Sequence, residues 1–129
     1  SEHHPLFTNA AVRGVCSQYG MAFQAYGPFG GKNSGLCAHP TVCAVAQSAG
    51  RTPAQILLRW ATQRGICVLP KSRRLAGMQE NAHASGFRLS AEQLGALDGL
   101  NTDQALYWEH DDGLDRFNIF LDQDKLQQE

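Results

Sequence analysis

The sequence predicts an α/β fold with parallel strands, of which this chain holds only a part. Segments of helical and strand character follow one another in the order helix, strand, two helices, strand, two helices, which implies right-handed parallel crossovers. The run Ile66-Cys67-Val68-Leu69 is apolar without alternation, as expected of a strand buried on both faces. Only two clear strands occur, with a stub at Ser1-Glu2-His3. That is too few for a covered parallel sheet, because open edges leave backbone groups unpaired.

Each element has its own warrant. Over residues 9–19, Val12, Val15, Cys16 and Tyr19 fall at i, i+3, i+4 and i+7, with Thr8 or Asn9 as cap and Gly20 as stop. Met21–Tyr26 reads as a short strand, broken by Gly27-Pro28-Phe29-Gly30-Gly31 and a loop through Gly35. A second helix spans 40–49 with Val42, Val45, Ala46 and Ala49 on one face, and Gly50 ends it. Thr52-Pro53-Ala54-Gln55 is a capping box with proline at the first helical position, and the body Ile56–Ala61 is apolar on a wide arc, so this third helix should be buried. Gly65 closes it, and Pro70 ends the strand that follows. A fourth helix covers about 75–84. Ser90-Ala91-Glu92-Gln93 is a second capping box, opening a helix with Leu94, Leu97 and Leu100 apolar. Beyond Asn101 there is no firm periodicity, although Tyr107, Trp108, Phe117 and Phe120 suggest segments that dock on something. The chain thus divides into a folded part, 1–102, and an acidic tail, 103–129.

At 43% hydrophobic and 18% charged, the 129 residues are neither disordered nor collagen-like. No apolar run approaches the roughly 20 residues of a membrane helix, and no basic start with an apolar stretch marks a secretory signal. A cytoplasmic location is expected. The first residue is Ser1, so either Met was removed or the chain was cut from something longer. A net charge of −1 argues against bulk binding of nucleic acid. The charges are nevertheless segregated. Residues 51–90 hold seven bases and one acid, and residues 103–129 hold two bases and eight acids. The basic centre suits a small anionic ligand, while the tail reads as solvated. The four cysteines form no CxxC and no zinc spacing with histidine. They are expected as reduced thiols, with Cys16, Cys43 and Cys67 acting as buried small hydrophobes.

The strongest chemical feature is Leu69-Pro70-Lys71-Ser72-Arg73-Arg74, which sets three cations and a hydroxyl after a buried strand and before a helix. Parallel barrels commonly hold phosphate at the carboxyl ends of their last strands, helped by the helix start. Lys71 supplies a point charge, and Arg73 or Arg74 a bidentate fork. A solvated basic turn is the alternative. Tyr26, at the end of its strand and followed by glycines, can present its face to a flat ring while the backbone approaches a ligand. The alternative is a capped strand and a tight turn. Adjacent His3 and His4 point to opposite faces of a strand, which favours hydrogen-bonding roles over a shared metal. No nucleophile elbow GxSxG is present.

In order, Glu2-His3-His4-Pro5, Ala25-Tyr26-Gly27-Pro28-Phe29-Gly30, Thr52–Trp60, Leu69-Pro70-Lys71-Ser72 with Glu80-Asn81, and Phe87-Arg88-Leu89-Ser90 resemble the E-x-H-P, A-Y-S-P-L-G, T-x-A-Q-V-x-L-R-W, I-P-K-S with E-N, and D-F-x-L-S blocks of the aldo-keto reductase family. The resemblance covers about residues 2–100 and implies the C-terminal part of a (β/α)8 TIM barrel, incomplete, with two to three of its parallel strands. It further implies binding of NADP(H), or less often NAD(H), and hydride transfer between cofactor and carbonyl. By position, Tyr26 stacks on the nicotinamide. Gly27, Phe29 and Gly30 line the pyrophosphate and ribose path, Lys71 and Ser72 meet the phosphate on the adenosine ribose, and Glu80 and Asn81 hold the adenine side. Gly77 stands where the family has Arg, so that phosphate contact falls to Arg73 or Arg74, and Gly27 stands where the family has Ser.

The family's catalytic Asp, Tyr, Lys and His belong to the first half of the barrel, and no residue here matches them. A complete barrel needs about 250 residues. The expectation is therefore a chain inactive on its own that needs an N-terminal half-barrel. The alternative is a non-catalytic remnant that self-associates through its strand edges.

Overall fold

The computed structural model describes residues 1–31 and 34–107. The aromatics expected at Trp108, Phe117 and Phe120, and the acidic tail beyond its first five residues, lie outside the described residues. The elements are α1 (Ala10–Gln18), β1 (Gln24–Tyr26), α2 (Pro40–Ala49), α3 (Pro53–Thr62), β2 (Cys67–Leu69), α4 (Leu75–Ala82) and α5 (Ala91–Asp98), with single 3-10 turns at Leu36–Ala38 and His83–Ser85.

The strands run parallel. Gln24 lies opposite Cys67, Ala25 opposite Val68 and Tyr26 opposite Leu69. The stub joins on the other side of β1 through a parallel bridge between Glu2 and Tyr26. The Tyr26 amide donates to the Ser1 carbonyl at 3.0 Å, and the His3 amide donates to the Tyr26 carbonyl at 3.2 Å. The order stub–β1–β2 therefore follows the chain, each strand beside the next, as in a segment of a singly wound barrel.

Helix α3 organises the core. Its capping box forms as the sequence predicts, with Thr52 and Gln55 exchanging side chain-to-backbone bonds. Ile56, Leu57, Trp60 and Ala61 of α3 are buried against Val42, Val45 and Ala46 of α2, Ala25 and Ile66 of the strand segments, and Leu36, Leu89 and Leu97. Each large side chain so buried is worth about 1.5–3 kcal/mol. Gly50 ends α2 at φ +60, a left-handed turn that glycine adopts without steric cost. The second capping box also forms, at Ser90 and Gln93.

Five expectations are corrected. The stripe on α1 is not buried: no residue of that helix is, and Val15 and Tyr19 are exposed. Asn9 precedes α1 in a left-handed conformation without a side-chain cap. The strand from Met21 shortens to its last three residues, with Met21 exposed. The apolar run at β2 is not buried on both faces: Cys67 and Leu69 are exposed. The cysteines are not core hydrophobes either: Cys16 is half-buried, and Cys37, Cys43 and Cys67 are exposed. One physical reason covers α1, β2 and Cys67. Their apolar faces have no covering layer among the described residues.

Candidate functional site

The pairing of Tyr26 with Leu69 sends two turns out of the same end of neighbouring strands, about 4.8 Å apart. The first turn begins at Gly27, φ +61, and closes by a bond from the Gly30 amide to the Gly27 carbonyl at 2.8 Å, with Gly30 at φ +72. Tyr26 is half-buried at the head of this turn. The Phe29 ring packs against the core, and its carbonyl accepts from Ser34 Oγ at 3.1 Å.

The second turn carries Lys71, Arg73 and Arg74, all exposed, and Ser72, half-buried. Ser72 Oγ accepts from the Arg74 amide at 3.2 Å and donates to the Arg74 carbonyl at 3.1 Å, fixing the turn from within. A Cβ on Gly77 would run into that hydroxyl, so the missing side chain at 77 is what lets Ser72 fold against α4. No side chain caps α4, leaving the amides of its first turn directed at the turn. Among the described residues, Lys71, Arg73 and Arg74 have no carboxylate in salt-bridge range. Lys71, Ser72 and Asn81, with Val68, Pro70 and Met78, line part of a cavity of about 660 Å³. Glu80 is separate from it. Its carboxylate accepts the Thr52 hydroxyl and its carbonyl accepts from Gln55 Nε2 at 3.3 Å, tying α4 to the start of α3.

A buried polar cluster beneath the Tyr26 end was not foreseen. Glu2 is 2% exposed and His4 fully buried. The Glu2 carboxylate accepts from His4 Nε2 at 2.8 Å, from the Leu106 amide at 2.7 Å and from the Tyr107 amide at 3.3 Å. Burial pushes the His4 pKa down, against the raising influence of Glu2. A neutral His4 donating through Nε2 fits this arrangement. The one available sequence signal was the two-residue spacing of Glu2 and His4, which puts both on one strand face. Tyr107 stands edge-on to Tyr26, with ring centroids 5.8 Å apart, and its ring fills the space a Cβ on Gly27 would need.

On the opposite face His3 stacks on Trp60 at 4.9 Å and meets Phe23 edge-on, while its Nδ1 lies 2.9 Å from the Thr8 carbonyl. Both histidines thus take the hydrogen-bonded structural roles expected. Burial is the main cause that lowers the His3 pKa to about 4; the Thr8 bond opposes it, and Arg13, His4 and Arg64 add smaller lowering effects. The unfolded chain therefore binds more protons than the folded one between pH 6.5 and about 4. Thermal melts should show stability falling as the pH drops through that window. A melting temperature constant across it would contradict a neutral buried His3.

Among the described residues, no group of three or more His, Cys, Asp or Glu could hold a metal ion, and no helix is long and apolar enough to cross a membrane.

Comparison with known proteins agrees with this architecture. An NAD(P)H-dependent D-xylose reductase of Aspergillus niger is 37% identical over 112 residues, covering 78% of this chain and 35% of that protein. An aldo-keto reductase of Mycolicibacterium smegmatis is 41% identical over 100 residues, again covering 78% of this chain and 35% of that protein. The chain thus spans about a third of the length of these relatives. The crystal structure of MGS-M4, an aldo-keto reductase from a Medee basin deep-sea metagenome library, superimposes with a TM-score of 0.80 at 26% identity, over 86% of this chain and 42% of that one. The described elements are therefore part of a barrel. The aldo/keto reductase family model matches residues 2–102, most of the sequence, and the chain belongs to that family.

Proposed function

We propose that this chain supplies the dinucleotide-binding, carboxyl-terminal part of an aldo-keto reductase barrel, with NADP(H) as ligand and NAD(H) as the alternative. One observation carries the reading: the parallel register brings the end of Tyr26 and the cationic turn at Lys71 to one end of the sheet. The relatives' description as NAD(P)H-dependent reductases supports the same ligand. In this reading the Tyr26 ring carries the nicotinamide, and the backbone of Gly27, Phe29 and Gly30 follows the pyrophosphate and ribose. Lys71 and Ser72 hold the adenosine ribose phosphate, with Arg73 or Arg74 replacing the cation absent at Gly77. Asn81 bounds the adenine side, and Glu80 braces it through Thr52. The bound dinucleotide supplies hydride. The chain's own residues bind and orient it, and carbonyl reduction belongs to the whole barrel.

Lys71→Ala tests this. NADPH affinity should fall by about 1–3 kcal/mol, the scale of a charge-assisted hydrogen bond, with a smaller effect on NADH, which lacks the extra phosphate. Titration followed by nicotinamide fluorescence reads both. Unchanged NADPH affinity removes Lys71 from the site.

The edge of β2 that is unpaired among the described residues, with exposed Leu69, Leu75 and Met78, favours a second reading, a self-associating scaffold. Light scattering separates the two: a clean monomer at high concentration excludes the scaffold.

A further inference from the structure

Residues 101–107 cross the end of the sheet as a strap fastened at both ends. Near its start the Thr102 and Gln104 amides donate to the Leu6 carbonyl at 3.1 and 3.2 Å, and Asn101 Oδ1 accepts from the Thr8 amide at 3.2 Å. At its far end the buried Glu2 carboxylate holds the Leu106 and Tyr107 amides. Between these fastenings and the glycine turn lie two side chains. Leu106 Cδ1 stands 3.2 Å from where a Cβ on Gly30 would be, and the Tyr107 ring lies over Gly27 and Gly31 and edge-on to Tyr26.

From this geometry we infer that the strap is a gate on the nicotinamide end of the site: Tyr107 occupies the glycine turn that the dinucleotide must follow, and Glu2 is the positioning residue that holds it there. The inference rests on the dinucleotide reading above. The space beside Gly27 cannot hold the Tyr107 ring and a pyrophosphate together, so binding of the whole dinucleotide displaces the ring. The ring is half exposed, at 49%, so it can swing into solvent with little loss of burial. The strap's anchors are less easily lost. A carboxylate with three donors in a buried setting is strongly held, so the gate yields at the Tyr107 side chain before it yields at Glu2. The turn at Lys71 is not covered by these two side chains, and an adenosine bisphosphate can dock there with the gate shut.

The test uses the 129-residue chain with two probes: NADPH, which reaches the glycine turn, and adenosine 2′,5′-bisphosphate, which stops short of it. Tyr107→Ala should tighten NADPH at least threefold and leave the bisphosphate unchanged, while Tyr107→Phe, which keeps the ring, should match the parent. Glu2→Gln, which weakens the fastening without changing shape, should shift NADPH in the same direction as Tyr107→Ala. If the bisphosphate binds but Tyr107→Ala leaves NADPH unchanged or weaker, the gate is overturned and the dinucleotide reading stands. If the bisphosphate binds neither parent nor variant, the dinucleotide reading falls and the gate with it.

Discussion

Replacing Trp60 with alanine is expected to cost about 3–5 kcal/mol of folding stability. Trp60 is 1% exposed in the last turn of α3, stacks on His3, and donates its Nε1–H to Asp98 Oδ1 at 2.7 Å. Arg64 closes the same group: Nη2 reaches both Asp98 oxygens at 2.7 and 2.6 Å, Nη1 donates to the Trp60 carbonyl at 2.7 Å, and the guanidinium lies 5.0 Å from the Trp60 ring centre. Removing the indole therefore opens a cavity between the stub, α3 and α5, and takes one of the partners from Asp98. Against a typical total of about 5–15 kcal/mol, such a loss leaves much of the chain unfolded. Trp60→Phe keeps a stacked ring and should lose only the indole hydrogen bond, about 1 kcal/mol, plus some packing. Urea unfolding followed by circular dichroism reads both. A cost below about 1 kcal/mol for the alanine variant would mean that Trp60 does not join the elements as described.

The second large effect concerns turnover. The chain alone is expected to reduce no aldehyde with NADPH, and mixing it with the amino-terminal part of a relative's barrel should restore reduction. The physical reason is the division of labour within the site. In the proposed reading the two turns bind and orient the dinucleotide, but reduction also needs a placed proton donor with a tuned pKa, a contribution of about 100- to 10,000-fold by itself. Tyr107, in ring contact with Tyr26, is held through its backbone amide by Glu2 and matches none of the family's blocks. Among the described residues only β1 pairs with β2, so the other edge of β2 is open to a further strand. Loss of NADPH absorbance in the mixture checks the expectation. Turnover by the chain alone, or none in any mixture that forms a complex, would count against this division.

Much of the architecture was legible because its determinants are local. The capping boxes at Thr52 and Ser90 are backbone and side-chain chemistry within four residues, and both formed as read. The parallel order followed from the alternation of elements, and the ordered blocks from Glu2 to Ser90 identified the family. Of the candidate residues, those on the two turns share an end of the sheet because each sits just after a strand. Glu80 illustrates the limit. It lies next to Asn81 in sequence, yet a helix turns adjacent side chains about 100° apart, so one braces α3 while the other faces the cavity.

What escaped the sequence depends on partners far along the chain. No local pattern relates Glu2 to Tyr107 or Trp60 to Asp98, since each pair meets only after the strands and helices have packed. Nor could periodicity foretell that α1 and β2 would show their apolar sides, because a stripe of hydrophobic residues specifies a face to be covered and not the layer that covers it. The sequence by itself determined the elements, their parallel order and the family, all of which rest on neighbouring residues. Only the tertiary structure decided which faces are buried and what lies over the glycine turn, because burial and long-range hydrogen bonds are properties of the packed chain.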